Sequence, residues 1–224
     1  MANASVFEEL RLVLRPDDAD RRIVCIEETE TAKGDIITAF YLWYILNKTD
    51  RPVLMFGVRD AFGHYHNVGL KYNYNLLSMA NKKRFQFVEP EHSIRSWLDP
   101  VEKLMEKCPN ETLYLIVDDL SVPLLLGETV ENIVAFLTYV RKHQSIVLIF
   151  ACWKHKVDDA TKRLAAVASH LSDVKIALAP LPTGFSNAAT GTMRITSYKT
   201  MFDMSDISYL YKLSDNGLSL TLNK

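Results

Sequence analysis

Two adjacent aspartates, Asp118 and Asp119, come directly after the apolar stretch Leu113–Val117. In phosphate-transfer enzymes, a carboxylate at the end of a buried strand binds Mg²⁺ beside a nucleotide. Because successive strand residues point to opposite faces of a sheet, both carboxylates reach one ion only if the strand ends before them. The alternative is structural, since an aspartate can also cap the turn into segment 120–123. A phosphate-binding loop upstream would favour the metal-binding interpretation.

The loop after the first predicted strand, Ile23–Ile26, is where phosphates would bind. Phosphate-binding loops follow the pattern GxxxxGK and then Ser or Thr, because the glycines let backbone amides approach the phosphates and the lysine neutralises them. Here one glycine follows the lysine, and three glutamates would each repel a triphosphate in a poorly screened pocket. We therefore interpret the loop as a degenerate phosphate-loop position, which comprises Glu27, Glu28, Glu30, Lys33 and Gly34. Asp118 and Asp119 then form a degenerate metal-carboxylate position with a capping or interface role, and we expect no catalytic residue, cofactor or metal.

A basic segment with an aromatic residue follows the predicted strand Ile146–Phe150. The carboxyl ends of parallel strands are where open α/β sheets usually bind ligands. An aromatic ring can stack on a base while lysines contact phosphates, so this segment is a candidate RNA contact. The alternative is a solvated loop with a half-buried tryptophan. The candidate residues are Trp153, Lys154, His155 and Lys156.

The overall composition excludes several classes of protein. The chain has 224 residues, of which 48% are apolar, and a formal net charge of −1, which does not favour a free-standing nucleic-acid binder. Its three cysteines form no CxxC pair, and His64 and His66 lack a third ligand at motif spacing, so no metal site is indicated. The start of the chain does not resemble a signal peptide, and the longest apolar run, Ile36–Leu46, is too short to span a bilayer. The expected location is the cytoplasm, with the nucleus as an alternative.

Strand and helix patterns alternate along most of the chain, which predicts a parallel sheet covered by helices on both faces. Ser93 is expected to cap one of these helices through its side chain. The predicted strands are Ile23–Ile26, Val53–Val58, Phe85–Val88, Leu113–Val117, Ile146–Phe150 and Val174–Leu178. The predicted helices cover residues 35–47, 64–71, 76–83, 93–107, 130–140 and 157–171.

The C-terminal third has a different pattern, in which apolar and polar residues alternate. Met193–Tyr198, Ile207–Leu213 and Leu218–Leu222 are predicted to form antiparallel strands. Asn216-Gly217 is a hairpin signal that calls for positive φ at both residues. The predicted fold class is α/β, with a mostly parallel central sheet, flanking helices and an antiparallel C-terminal hairpin edge. We expect a single domain over residues 1–224, with an N-terminal helix at about 5–15, βα units at about 22–179 and antiparallel strands at about 193–222.

Three stretches together resemble subunit 6 of the Elongator complex, and the resemblance runs from about residue 5 to the C-terminus. They are Phe62–Lys71, Leu115–Val122, and Leu181–Phe185 followed by Met193–Ile195. The resemblance implies a RecA-like ATPase fold without the usual nucleotide motifs. It implies a hetero-hexameric ring with Elongator subunits 4 and 5, two copies of each, which joins the catalytic subcomplex and binds tRNA. The whole complex modifies the wobble uridine of tRNA to carboxymethyl-type side chains, and the radical chemistry belongs to subunit 3.

The sequence therefore favours a non-catalytic ring subunit of a tRNA-modification complex. One alternative is an atypical nucleotide hydrolase that uses Asp118 and Asp119. The other is a stand-alone RNA-binding module that uses the segment at Trp153. We expect no membrane association in any of these cases.

Overall fold

The computed structural model describes residues 3–91, 93–154, 159–184, 186–200, 203–214 and 217–223. In these ranges, strands form one sheet in the order β3-β2-β4-β5-β1-β6-β7-β8-β9. The strands are β1 (Ile23–Glu28), β2 (Val53–Phe56), β3 (Phe85–Val88), β4 (Leu113–Val117), β5 (Ile146–Trp153), β6 (Val174–Pro180), β7 (Gly191–Thr200), β8 (Asp203–Ser214) and β9 (Gly217–Leu222). The helices are α1 (Asn3–Leu14), α2 (Asp35–Lys48), α3 (Phe62–Lys71), α4 (Leu76–Asn81), α5 (Leu98–Lys107), α6 (Val122–Leu125), α7 (Val130–Lys142) and α8 (Asp159–Leu171).

In the order of the sheet, neighbouring strands pair in parallel from β3 through β2, β4, β5 and β1 to β6, and antiparallel from β6 to β9. The predicted α/β fold class is therefore confirmed. Every residue of β1, β2 and β4 is buried. This explains why these strands read as continuous apolar runs instead of alternating patterns: both faces of the sheet are covered.

Two apolar cores lie on the two faces of the sheet. One contains the buried residues of α1 and α2, and the other those of α5, α7 and α8. Helix α2 is apolar nearly all round because α1 covers its outer side. The ring of Phe7 on α1 lies 5.8 Å from Phe40 and 5.3 Å from Trp43, both on α2.

Several element boundaries differ from the predictions. Strand β1 continues through Glu27 and Glu28, and β2 ends at Phe56 instead of Val58. Strand β2 stops early because the amide of Val58 donates to the Asp118 carboxylate at 2.8 Å instead of to a neighbouring strand. Ser93 makes no side-chain cap; the Glu128 carboxylate accepts from the following Ile94 amide at 3.1 Å, and a 3₁₀ turn precedes α5. The capping prediction for Ser93 is therefore wrong.

The C-terminal hairpin joins β8 and β9, and Ser214 pairs with Gly217. This pairing places Gly217 at the first position of β9 and not in the centre of the turn. Gly217 has a φ of +133°, a region that favours glycine. Asn216, the other residue of the predicted turn, lies outside the described residues, as does Phe185 of the third stretch.

Candidate functional site

The carboxyl ends of β1, β2, β4 and β5 meet at one edge of the sheet, where parallel α/β sheets bind their ligands. Both predicted acidic positions lie at this edge, since β1 ends in Glu28 and Asp118 follows β4. The segment Val58–Asp60 follows β2 and lies beside them. The edge therefore brings together groups that are far apart in the sequence.

Glu28 binds the loop that would otherwise hold phosphates. Its side chain is fully buried, and one carboxylate oxygen accepts a hydrogen bond of 2.6 Å from the amide of Gly34. The other oxygen pairs with the guanidinium of Arg59 at 2.5 Å. Gly34 is the residue before α2, and amides at the start of a helix are the groups that bind anions. The chain's own carboxylate thus occupies this anion-binding position.

Gly34 fits this arrangement because a side chain there would collide with its neighbours. A Cβ at this position would lie 2.6 Å from a methyl group of Ile26 and 3.1 Å from the Glu28 carboxylate. Burial raises the pKa of Glu28, against the opposing effects of Arg59 and the Gly34 amide. The loop is therefore closed by a tight contact between glycine and carboxylate.

Arg59 is the central cation of the edge, a role that the sequence patterns did not predict. Its side chain is 20% exposed, and its guanidinium contacts the carboxylates of Glu28, Asp35, Asp60 and Asp119. Burial lowers the pKa of Arg59, but the nearby carboxylates outweigh burial and raise it above its ordinary value. A lone arginine after β2, at the acidic edge of a predicted parallel sheet, was the only signal for this role in the sequence.

Asp118 uses both oxygens to organise the segment after β2. One oxygen accepts from the amide of Val58 at 2.8 Å. The other accepts from the amides of Arg59 and Asp60 at 3.0 and 3.1 Å, and from the hydroxyl of Tyr65 at 2.7 Å. These donors occupy the lone pairs that a metal ion would need, so the geometry favours a structural role.

Asp119 caps the turn that follows β4, as the structural alternative predicts. It accepts a hydrogen bond of 2.8 Å from the amide of Ser121 and lies 3.9 Å from Arg59. Burial raises the pKa of Asp119 to about 6, and the charges of Glu28 and Asp118 act in the same direction. The Ser121 hydroxyl accepts from the amide of Trp153 at 2.7 Å and so joins this turn to the end of β5.

The basic segment after β5 is also tied to β1. The side chain of Lys154 pairs with Glu27, and the Lys154 amide donates to the carbonyl of Glu28 at 2.9 Å. Trp153 is half-buried, and the ammonium of Lys33 lies 5.0 Å from its ring centroid. The candidates His155 and Lys156 lie outside the described residues. Glu30 is exposed, beyond the buried contacts of the loop.

The two histidines considered as metal ligands lie on α3. His64 is exposed, and the ring of His66 stacks on Phe62 with centroids 5.7 Å apart. In the ranges that the structure covers, no three His, Cys, Asp or Glu residues are arranged to hold a metal ion. None of the helices in those ranges combines the length and apolar character that a membrane crossing demands.

Comparison with known proteins places the chain in a family. The sequence model described as Elongation complex protein 6 matches residues 91–215, more than half of the chain. The chain belongs to the Elongator subunit 6 family. This confirms the resemblance seen in the sequence and supports a place among the subunits of the Elongator complex. A search of curated proteins finds no match.

The chain also resembles the crystal structure of a KaiC-like protein from the hyperthermophilic archaeon Pyrococcus horikoshii OT3. The TM-score is 0.63 at 10% sequence identity, over 90% of each chain. At this identity the likeness shows the fold alone, and it confirms the RecA-like prediction. Residues 91–215, which the family model matches, include Asp118 and Asp119. The loop from Glu28 to Gly34 and the residue Arg59 come before the matched residues in the sequence. The internal ion pairing is thus known here from the structure.

Proposed function

We propose that this chain is a non-catalytic structural subunit of the Elongator complex. It would form a hetero-hexameric ring with subunits 4 and 5, and the ring would join the catalytic subcomplex, bind tRNA and support wobble-uridine modification. Family membership supports the Elongator context, and the RecA-like fold suits a ring-forming subunit. The same proposal includes a single domain over residues 1–224 and a cytoplasmic location, with the nucleus as the alternative.

The observation that carries the non-catalytic role is the Glu28 carboxylate bound to the Gly34 amide. A nucleotide phosphate in this place would have to displace Glu28 and would then face its charge. Two unit charges about 4 Å apart repel by about 4 kcal/mol at an effective dielectric constant of about 20. Asp119 lies at the same edge and adds to the repulsion, while Arg59 is already neutralised by several carboxylates. The loop is therefore a poor phosphate site.

The hydrolase alternative is weaker because its proposed metal ligand is engaged. Asp118 accepts four hydrogen bonds from the chain's own amides and from Tyr65. A metal ion there would have to break these bonds and release the segment after β2. The geometry thus favours a pseudo-ATPase over an atypical hydrolase.

Titration of the isolated chain with ATP and Mg²⁺ tests the non-catalytic role. We expect no binding and no turnover at millimolar ATP, both for the wild type and for Asp118→Ala. Binding in the millimolar range or tighter, with turnover that Asp118→Ala abolishes, would contradict the proposal and favour the hydrolase. A known RecA-type ATPase, measured in parallel, checks that the ATP and Mg²⁺ sample supports binding and turnover under the same conditions.

We place the candidate tRNA contact of the ring at Trp153–Lys156, with RNA binding by the assembly and not by the isolated chain. The Lys154 side chain is 60% exposed, which supports access, although its charge is paired with Glu27. Lys33 lies over one face of the Trp153 ring, so base stacking there would require its displacement. These contacts, with the formal net charge of −1, argue against strong RNA binding by the chain alone.

A further inference from the structure

A groove separate from the Glu28 contacts lies between three parts of the chain. The segment that leads into α2, one face of α3, and the end of β8 enclose about 430 Å³. This volume falls within the range of ligand sites, roughly 300–1,000 Å³. None of the contacts described for Glu28 or Asp118 uses the space inside it.

The floor of the groove is apolar. Ala39 and Tyr211 are buried there, and Ile36 and Val68 are half-buried beside them. Leu213 on β8 is 41% exposed and forms part of the wall. An apolar floor with an exposed leucine offers a place for an apolar side chain from a partner, because burial of both surfaces would stabilise the contact.

The rim of the groove carries an excess of positive charge. Lys33 and Lys71 line it, together with His64, and all are exposed. Asp35 is the acidic residue in the lining, and its carboxylate is paired with Arg59. With two lysines and one aspartate, the described lining has an excess of one positive charge. It is complementary to acidic side chains.

The aromatic residues of the groove do not suit stacked bases. Tyr211 is buried, and the ring of Tyr72 packs against Phe7 with centroids 4.7 Å apart. Sequence-tolerant binding of single-stranded RNA relies on accessible aromatic faces beside cationic groups. The groove therefore favours an aliphatic or aromatic anchor flanked by carboxylates over a nucleic acid.

We propose that this groove binds an acidic segment of another protein subunit, which inserts an apolar side chain over Leu213 and places carboxylates near Lys33 and Lys71. The inference rests on the proposed function, because it requires that the chain be part of a multi-subunit complex. It adds a binding site and the chemistry of its occupant.

Site-specific photo-crosslinking in the assembled Elongator complex tests the inference. The photoreactive residue p-benzoyl-phenylalanine replaces Leu213, and the crosslinked peptide is sequenced by mass spectrometry. We expect one partner segment in which an apolar residue has at least two Asp or Glu residues close in sequence. Crosslinks to RNA, to a basic segment, or to no partner would overturn the inference. The positional control has p-benzoyl-phenylalanine in place of Leu70, which is 52% exposed on α3 but does not line the groove. This variant should not crosslink to that segment.

Charge reversal provides the second measurement. Lys33→Glu combined with Lys71→Glu should lower the crosslinking yield at Leu213 by about tenfold, because carboxylates would then face carboxylates. Lys103→Glu with Lys107→Glu, exposed on α5, is the matched control and should leave the yield unchanged. If the reversed variant does not assemble, Lys33→Gln with Lys71→Gln serves instead, and an unchanged yield would overturn the inference. Failure of the wild-type chain to enter the complex would contradict the proposed function itself, which separates the two proposals.

Discussion

The carboxylates of Glu28 and Asp118 accept hydrogen bonds from the chain's own backbone amides. The sequence made it possible to predict that glutamates in the loop would repel phosphate. It could not show that Glu28 binds the Gly34 amide, because that contact depends on how the loop closes. Arg59 was missed for a related reason: it reaches Glu28 across the ends of two intervening strands, β4 and β5. That strand order is not visible in periodicity.

Asp119 should make stability depend on pH. Its folded pKa of about 6 lies above the ordinary value of 3.8, so protonation favours the folded state. The stabilisation of the folded state by the protonated Asp119 side chain is full below about pH 4 and is lost as the pH rises through about 6. Relative to the wild type, Asp119→Asn should therefore gain roughly 1–3 kcal/mol in the free energy of unfolding between about pH 4 and 7. Urea unfolding at a series of pH values measures this gain.

Ser121→Ala is the control for that series, because it removes a hydroxyl from the same turn without removing a titratable group. Its difference from the wild type should stay constant across the pH range. If the curves for Asp119→Asn and the wild type ran parallel, Asp119 would not titrate in this window, and the proposed burial of its charge would be wrong.

At the scale of elements, strands were predicted better than their ends. The bounds of β3 and β4 agree with the predictions. The ends of β1, β2 and β5 differ because polar contacts between neighbouring strand ends decide them. The segment after β2 shows this best, since it folds onto the carboxylate of Asp118.

Gly57→Ala should disrupt the segment after β2. A Cβ there would lie 2.1 Å from the ring of Phe87 and 2.8 Å from the carbonyl oxygen of Asp60. Because backbone must move to relieve this contact, we expect a loss of about 2 kcal/mol or more in the free energy of unfolding. Gly63→Ala on α3 is the control: its Cβ would meet nothing within 4 Å, and helix propensity predicts no loss. Equal melting temperatures for the two variants would contradict the described packing.

Gly217→Val should weaken the C-terminal edge of the sheet. Gly217 has a φ of +133°, which a β-branched residue rarely adopts. We expect a loss of roughly 1 kcal/mol or more, measured by thermal unfolding. Ser219→Val, at an exposed position of the same strand, should be neutral or slightly stabilising because valine favours strands. Retention of the wild-type melting temperature by Gly217→Val would show that the backbone assignment at the hairpin is wrong.

At the scale of the whole molecule, the alternation of apolar strands and helices made the α/β class predictable. The strand order was not predictable from the residues, because β1, β2 and β4 are buried on both faces and their residues do not indicate which strands lie beside them. Family membership adds what the isolated fold cannot show, a place in a larger complex. The contact between Glu28 and the Gly34 amide supports the proposal that this RecA-like chain has a structural role there.

Native mass spectrometry of the chain co-expressed with Elongator subunits 4 and 5 is the most direct test of a structural role in a ring. We expect a particle that contains two copies of each subunit. The same particle should form when no nucleotide is added, with no nucleotide bound to this chain. The control omits this chain, and subunits 4 and 5 should then fail to form the six-membered particle. A monomeric chain beside an assembly of subunits 4 and 5 alone would contradict the proposed function.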